Sequence, residues 1–310
     1  MASRPIAAIV GPTSSGKTDL ALALARRIPI EILVADSRQV YRGMQIGTAT
    51  PDAEARAAVP HHLLDLVDPD QPFSVADWAA RAHEVLPGIA ARGRLPVLVG
   101  GSGLYLAALL DGYAFDEGPE RGMRADLAEQ LASEGLEPLV ERLKRTDLQA
   151  ARRIDLHNPR RVTRALERSA ARGGGAAPAP IAQRWPGPVV QLGISRPREV
   201  LYRRIDERAR RLFEDGLLEE VRALLEAGYD PRRAPLTGHG YGEAARHLSG
   251  DWSLDEAVAV TARRTRQYAK RQGTWFRRDP RIVWLDAGDR PGDDPALVDQ
   301  ADRLLRALLP

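Results

Sequence analysis

Near its amino terminus the chain reads IAAIVGPTSSGKTDLALALARR, and within that stretch Gly11–Thr18 spells GPTSSGKT. This is the G-x-x-x-x-G-K-[ST] spacing of a phosphate-binding loop. In such a loop the backbone N–H groups and the helix amino terminus cradle an anion, the lysine neutralises it, and the final hydroxyl is placed to hold Mg2+. Here Gly11, Pro12, Thr13, Ser14, Ser15, Gly16, Lys17 and Thr18 fill those places. The flanks agree with the motif. Ile6 to Val10 is a β-branched run, and Asp19 to Ile28 carries Leu20, Leu24 and Ala25 at helical spacing, so strand, loop and helix follow in the required order. The motif calls for phosphates and leaves their owner open, because any pyrophosphate satisfies the same donors.

Composition sharpens the lysine. Of 45 basic residues only Lys17, Lys144 and Lys270 are lysines. A chain that writes Arg nearly everywhere keeps Lys17 where a phosphate loop wraps a compact ammonium and a planar guanidinium is too large. With no cysteine there is no disulfide, thiolate nucleophile or cysteine zinc site, and the six histidines show no HxxxH spacing. A metal, if used, is therefore oxygen-bound. No apolar run approaches the ~20 residues that cross a bilayer, and the start reads as the approach to a first strand, not as a signal peptide. No membrane partner and a cytoplasmic location are expected.

Further along, Glu31 to Ala35 is a second short strand ending at Asp36, and Leu95 to Val99 a third ending at Gly100 and Gly101. Their alternation with helical stretches predicts an α/β fold with a parallel sheet covered on both faces. Ligands bind such sheets at the carboxyl ends of the strands, so Asp36 and the segment Gly100 to Tyr105 are expected in one crevice with Lys17. From about Arg121 the pattern turns helical and charged until the stretch GGGAAPAP, which predicts an inserted helical subdomain over 121–186 within a core of 1–120 and 187–310. Strand character resumes at VVQLGIS and returns once more at RIVWL. The last ~20 residues read as a closing helix without evident chemistry.

A nucleotide hydrolase would offer a strand ending in Asp, whereas LPVLV ends in Gly-Gly-Ser, which weakens that reading. Asp36 is then the best-placed carboxylate, as a ligand to metal-bound water or as a general base; capping the turn after a strand is its bland alternative. Between Arg263 and Arg278 stand seven Lys or Arg and no acid. On a helix, Arg263, Arg266, Lys270 and Arg277 form one stripe and Arg264, Arg271 and Arg278 the next, opposite Val258, Ala262, Ala269 and Phe276. One-signed faces of this kind fit a phosphate backbone better than an ordinary solvated surface, with Arg160, Arg161 and Arg164 as a second patch. Tyr241, Tyr268 and Trp275 are aromatic candidates beside it, each equally readable as core.

Taken together, GPTSSGKT, ADSRQVYRGMQIGTATP, PHHLLDLVDP, FSVADW, GRLPVLVGGSGLY, NPRRVTRALE, RRIDER, GYGEA and RQYAKRQGTWFR run in order over nearly the whole chain. In this set the sequence resembles the bacterial tRNA dimethylallyltransferase (tRNA isopentenyltransferase) family. The resemblance implies a P-loop kinase-like parallel-sheet core with an inserted helical subdomain. It also implies transfer of a dimethylallyl group from dimethylallyl diphosphate to N6 of the adenine 3′ of the anticodon, with diphosphate as leaving group. The expected partners are the tRNA anticodon stem-loop and dimethylallyl diphosphate, with Mg2+ as cofactor, in a monomer.

Residue by residue, the resemblance implies that Asp36 takes a proton from, or orients, the adenine amine. Thr13 to Thr18 grip the diphosphate, with Mg2+ at Thr18, and Arg208 and Arg204 add donors on the leaving oxygens. Ser37, Arg38, Gln39, Ser102, Arg124, Arg160, Arg161, Val162, Thr163, Arg164, Gly238, His239, Gly240 and Tyr241 match positions that meet tRNA. Ser102 stands where Thr is more usual, which keeps the hydroxyl. The competing readings are an adenylate isopentenyltransferase, for which the insertion and basic helix are superfluous, and a small-molecule kinase, which leaves that helix without a purpose.

Overall fold

The computed structural model describes residues 4–112, 121–171 and 184–309, without the side chains of 121, 122, 124, 125 and 171. Six strands form one sheet: β1 (Ile6–Val10), β2 (Ile30–Ala35), β3 (His61–His62), β4 (Leu95–Gly100), β5 (Val189–Ser195) and β6 (Ile282–Asp286). Their order is β3-β2-β4-β1-β5-β6, and every pairing is parallel. Strands β1, β2 and β4 are buried along their whole length, as continuous apolar runs must be when both faces are covered. The two-residue edge strand β3 went unread in the sequence, being too short to show alternation.

Around the sheet lie α1 (Lys17–Ala25), α2 (Ala53–Ala58), α3 (Val75–Ala91), α4 (Gly103–Leu110), α9 (Arg198–Glu214), α10 (Leu217–Glu226), α11 (Tyr241–Leu248), α12 (Leu254–Phe276) and α13 (Pro295–Arg306). The remaining helices are α5 (Arg121–Glu134), α6 (Glu137–Thr146), α7 (Leu148–Arg153) and α8 (Pro159–Ala171). The chain divides into two compact units, Met1–Gly112 with Arg184–Pro310, and Tyr113–Gln183. Within the second, Leu127, Leu139, Leu143, Val162 and Leu166 make a core of their own. The GGGAAPAP stretch lies outside the described residues.

Register places the crevice. Ala35 and Val10 both pair with Gly100, so β1, β2 and β4 end level, and the chain leaves them as the phosphate loop, Asp36 and Gly101–Ser102. Strand β1 sits between β4 and β5, where successive connections leave in opposite directions and a crevice opens. Along one flank runs α12, opened by a capping box in which the Ser253 hydroxyl accepts from Glu256 N–H (3.2 Å) and Glu256 accepts from Ser253 N–H (2.8 Å).

The opposite end of the sheet is tied by one buried carboxylate. Glu31, 1% exposed on β2, accepts both Arg92 donors at 2.8 Å and pairs with His62 Nε2 at 2.7 Å, fastening β3 and the end of α3 to β2. The Arg92 hydrogen bonds outweigh burial and hold the Glu31 carboxyl at about 2, from an ordinary 4.5. A lowered folded-state value means that this contribution is present above pH ~4.5 and is lost as the pH falls toward 2. Glu31→Gln is therefore expected to lower the unfolding free energy at pH 7 by about 1–3 kcal/mol. In urea titrations the gap between the two proteins should narrow as the pH falls through that window.

Candidate active site at the carboxyl ends of the strands

The phosphate loop turns through Ser14 (φ 63°) and Gly16 (φ 95°), the second being the N-cap of α1. A Cβ at Gly16 would lie 2.9 Å from Gly292 Cα, so both the dihedral and the packing demand glycine. Lys17 folds back so that Nζ donates to Pro12 O at 2.7 Å. Three arginines brace the loop from β5 and α9. Arg196 Nε donates to Ser15 O (2.8 Å), Arg204 Nε to Ser14 O (3.1 Å) and Arg208 Nη1 to Thr13 Oγ1 (3.3 Å). The Ser14 and Ser15 hydroxyls are buried without a hydrogen-bond partner, as expected of groups that complete their bonding on a ligand.

So much positive charge in a desolvated space is costly. Burial first, and then the neighbouring Arg208, bring the Lys17 ammonium down from 10.5 to about 8, against the opposing pull of Asp36 and Asp19. Burial likewise lowers Arg208 and takes Arg196 down to about 10. A polyanion relieves this repulsion, which is the electrostatic definition of the cradle.

Facing it, Asp36 follows β2 directly, and its Oδ1 accepts from Arg38 N–H at 2.8 Å. Next to it, Ser37 N–H donates to Ser102 Oγ (3.2 Å). Gln272, buried on α12, joins the two sides: its Oε1 accepts from Thr13 N–H (2.8 Å), and its Nε2 donates to Gly101 O (3.0 Å). Tyr268, one helical turn earlier, has its hydroxyl near Ser102 and Gln272, and burial pushes it up to about 12. An anion cradle, a carboxylate and a hydrogen-bonded wall thus share one crevice, an arrangement suited to moving a group off a diphosphate onto a nucleophile held at Asp36.

Residues 39–279 match the model of the IPP transferase family, and residues 4–60 that of the isopentenyl transferases. The chain belongs to the IPP transferase family. The tRNA dimethylallyltransferase of Geobacter metallireducens is 46% identical over 281 residues, 90% of this chain and 91% of the relative. That of Roseiflexus castenholzii is 46% identical over 303 residues, 97% of each. Among solved structures, the full-length tRNA isopentenylpyrophosphate transferase of Bacillus halodurans superposes with a TM-score of 0.72 at 37% identity, covering 99% of this chain and 97% of the other. A eukaryotic dimethylallyltransferase captured acting on tRNA gives 0.75 at 25% identity, covering 93% and 75%. The fold and family expected from the motifs hold.

Several residues matched to tRNA-meeting positions of the family are occupied inside the chain. Tyr241 is 2% exposed, and its hydroxyl donates to Glu220 Oε1 at 2.6 Å. The same carboxylate accepts from the backbone of Gln45, Ile46 and Gly47 at 2.7–3.0 Å, so Tyr241 buttresses a loop. That loop carries Thr48, whose carbonyl accepts from Arg208 Nη2 (3.4 Å) and from Gln39 Nε2 (3.1 Å). The Val162 side chain is fully buried in the core of its unit. Gly238 and Gly240 are buried, Gly240 as the N-cap of α11. His239 packs on Tyr268 with ring centroids 5.5 Å apart, and burial followed by Arg264 lowers it to about 4, so it is neutral. Arg38 reaches the Pro235 carbonyl.

On α12, Arg263 and Lys270 are exposed, and so is Arg277 at its C-cap. Arg266 pairs with Asp206 of α9, and Arg264 with the buried Glu243, so the basic face is interrupted by ties to the core. On α8, Arg160 and Arg161 are exposed, Arg164 pairs with Glu167 (2.7 Å), and the Thr163 hydroxyl bonds back to Pro159 O (3.1 Å). Arg124 lies in α5, and its side chain is outside the described residues. Three residues escaped sequence reasoning. Gln272 was readable in principle as a polar residue among the apolar positions of α12, whereas Arg196 and Glu220 resemble every other charge around them. The C-terminal loop also has a use, since Arg196 Nη1 donates to the carbonyls of Gly288 (3.0 Å) and Arg290 (2.7 Å) behind the phosphate loop.

Only the protonated Lys17 neutralises phosphate, so wild-type affinity for diphosphate, relative to Lys17→Met at the same pH, is expected to fall as the pH rises through 8. Calorimetric titration of inorganic diphosphate at fixed Mg2+ across pH 7–9.5 checks this, and the variant cancels the titration of the ligand itself.

Proposed function

We propose that this protein transfers the dimethylallyl group of dimethylallyl diphosphate to N6 of the adenine 3′-adjacent to the tRNA anticodon, releasing diphosphate. The observation that carries the reading is Asp36 standing within electrostatic range of both Lys17 and Arg208, so that nucleophile activation and leaving-group stabilisation meet in one crevice. The N6 lone pair attacks the allylic carbon, the carbon–oxygen bond breaks with its electron pair going to the diphosphate, and the amine proton passes to the Asp36 carboxylate. Charge accumulates on the diphosphate oxygens as the bond breaks. On this reading Lys17, Arg208 and the amino terminus of α1 are donors held in place before that charge develops, which lowers the barrier without reorganisation. Arg204 and Arg196 hold the loop in shape by its carbonyls.

Among the described residues no group of three or more His, Asp or Glu could hold a metal. The donor set that fits is the exposed Thr18 hydroxyl on the first turn of α1 together with oxygens of the diphosphate, a hard set suited to Mg2+. When bound there, Mg2+ supplies further neutralisation of the leaving group.

For the tRNA, the exposed Arg263, Lys270 and Arg277 offer phosphate contacts on one unit, and Arg160 and Arg161 on the other. Extruding an adenine into the crevice costs a few kcal/mol, which such contacts offset. No described helix is long and apolar enough to cross a membrane. The reading takes the protein as a monomer working on tRNA in the cytoplasm.

The reading is tested by incubating the protein with labelled dimethylallyl diphosphate and unmodified tRNA, with and without ATP. Transfer to tRNA without ATP is expected; transfer to free adenosine monophosphate in its place would overturn the reading. In that assay Asp36→Asn should lower kcat by about 10²–10⁴-fold while tRNA affinity stays within about twofold. The double variant Arg263→Ala, Lys270→Ala should weaken tRNA binding and flatten its salt dependence by ~0.7–0.9 log units for each phosphate left unneutralised, with the affinity for dimethylallyl diphosphate unaltered.

A further inference from the structure

Tyr268, Arg271, Gln272 and Trp275 follow one another at i, i+3, i+4 and i+7 on α12, and so share one face of the helix. Gln272 and Tyr268 fix the direction of that face, since both reach the Gly101–Ser102 side of the crevice. Arg271 stands over the Tyr268 ring at 5.7 Å. Seven residues on, about 10 Å along the axis, comes Trp275.

Of the five tryptophans Trp275 alone is exposed, at 47%, while its neighbour Phe276 is turned into the core at 3%. The indole does not hang free. A Cβ added to Gly103, the first residue of α4, would meet its Nε1 at 2.1 Å and Cδ1 at 2.2 Å, so one edge of the ring rests directly on backbone. Leu104, 44% exposed, extends the apolar surface. One turn before and one after Trp275 in sequence, Arg271 and Arg278 are exposed, in a stretch without a single acid. The result is a large aromatic plane, held on one side, open on the other and rimmed by cations, beside the residue that carries Ser102.

We propose that Trp275 is a stacking platform for an unpaired base of the substrate RNA, distinct from the adenine that reacts, with Arg271 and Arg278 on the adjoining phosphates. This rests on the tRNA reading above. The rim chooses the occupant: an aromatic plane among guanidinium groups suits a base attached to phosphates, whereas a prenyl chain needs a dry apolar enclosure. The span from Tyr268 to Trp275 equals about three stacked bases at ~3.4 Å, so the platform lies within reach of a flanking nucleotide of the same loop.

The test compares wild type, Trp275→Ala and Trp275→Phe in steady-state transfer to an anticodon stem-loop RNA. Base–aromatic stacking predicts that Trp275→Ala raises KM for the RNA by about 10–100-fold. KM for dimethylallyl diphosphate and kcat at saturating RNA should stay within about twofold, and Trp275→Phe should recover most of the loss. RNA should quench wild-type tryptophan fluorescence, and Trp275→Phe should remove most of that quench. An unchanged RNA KM in Trp275→Ala overturns the proposal, and so does a rise confined to the KM for dimethylallyl diphosphate, which would assign the indole to the prenyl chain. If wild type itself fails to modify the RNA, the functional reading falls and this inference with it; if wild type modifies RNA and the alanine variant matches it, only this inference falls.

Discussion

Cations crowded into a space with little water organise the whole catalytic end of this molecule. Lys17, Arg196, Arg204 and Arg208 converge on the loop Thr13–Ser15, and burial, followed by repulsion from Arg208, brings the lysine down to about 8. Such an arrangement is tolerable only because the surroundings fix it. The strands end in register, the carbonyls of the loop absorb several guanidinium donors, and Asp36 with Asp19 supplies opposing charge. A bound diphosphate turns the same repulsion into attraction, and most strongly when a departing group gives it further negative charge. On the proposed reading, the cost of crowding these cations and their use in catalysis have one electrostatic origin.

Two polar residues carry that geometry outward. Gln272 bridges Thr13 N–H and Gly101 O, so the position of α12 sets both the phosphate loop and the turn after β4. Glu220 gathers the N–H groups of Gln45, Ile46 and Gly47 and the hydroxyl of Tyr241, holding the loop whose Thr48 carbonyl steadies Arg208 on one side and Gln39 on the other. Both sets are largely half-buried, so leaving their donors unsatisfied would cost part of the desolvation penalty as well as the hydrogen bonds. Helix α12 consequently has two functions. The face that fixes the reaction centre through Gln272 and Tyr268 also carries the exposed indole of Trp275 farther along, while Arg263, Lys270 and Arg277 present exposed cations.

Much of this was legible before any coordinates. The phosphate loop declared itself by spacing, and β1, β2, β4 and β5 by short apolar runs that end where the chemistry begins. Asp36 and Ser102 were placed in one crevice by the rule that parallel sheets bind ligands at their carboxyl ends. Side-chain direction was less accessible. Tyr241 and Val162 lie in stretches matched to tRNA-meeting positions, yet both point into cores. Arg264 and Arg266 belong to a seven-charge run, yet both are committed to carboxylates on other elements. A helical wheel distributes charges by angle, and it contains neither Asp206, 60 residues earlier, nor the buried Glu243.

By itself, then, the sequence determined the parallel α/β core, the family and the presence of a basic helix, because these follow from local spacing and from motifs in a fixed order. Only the tertiary structure decided which cations are free and which are spoken for, that Gln272 and Glu220 set the site, and that Trp275 faces outward on the backbone of Gly103. Those outcomes depend on groups far apart in the chain competing for the same hydrogen bonds and the same buried volume, and that competition is settled only when the elements pack.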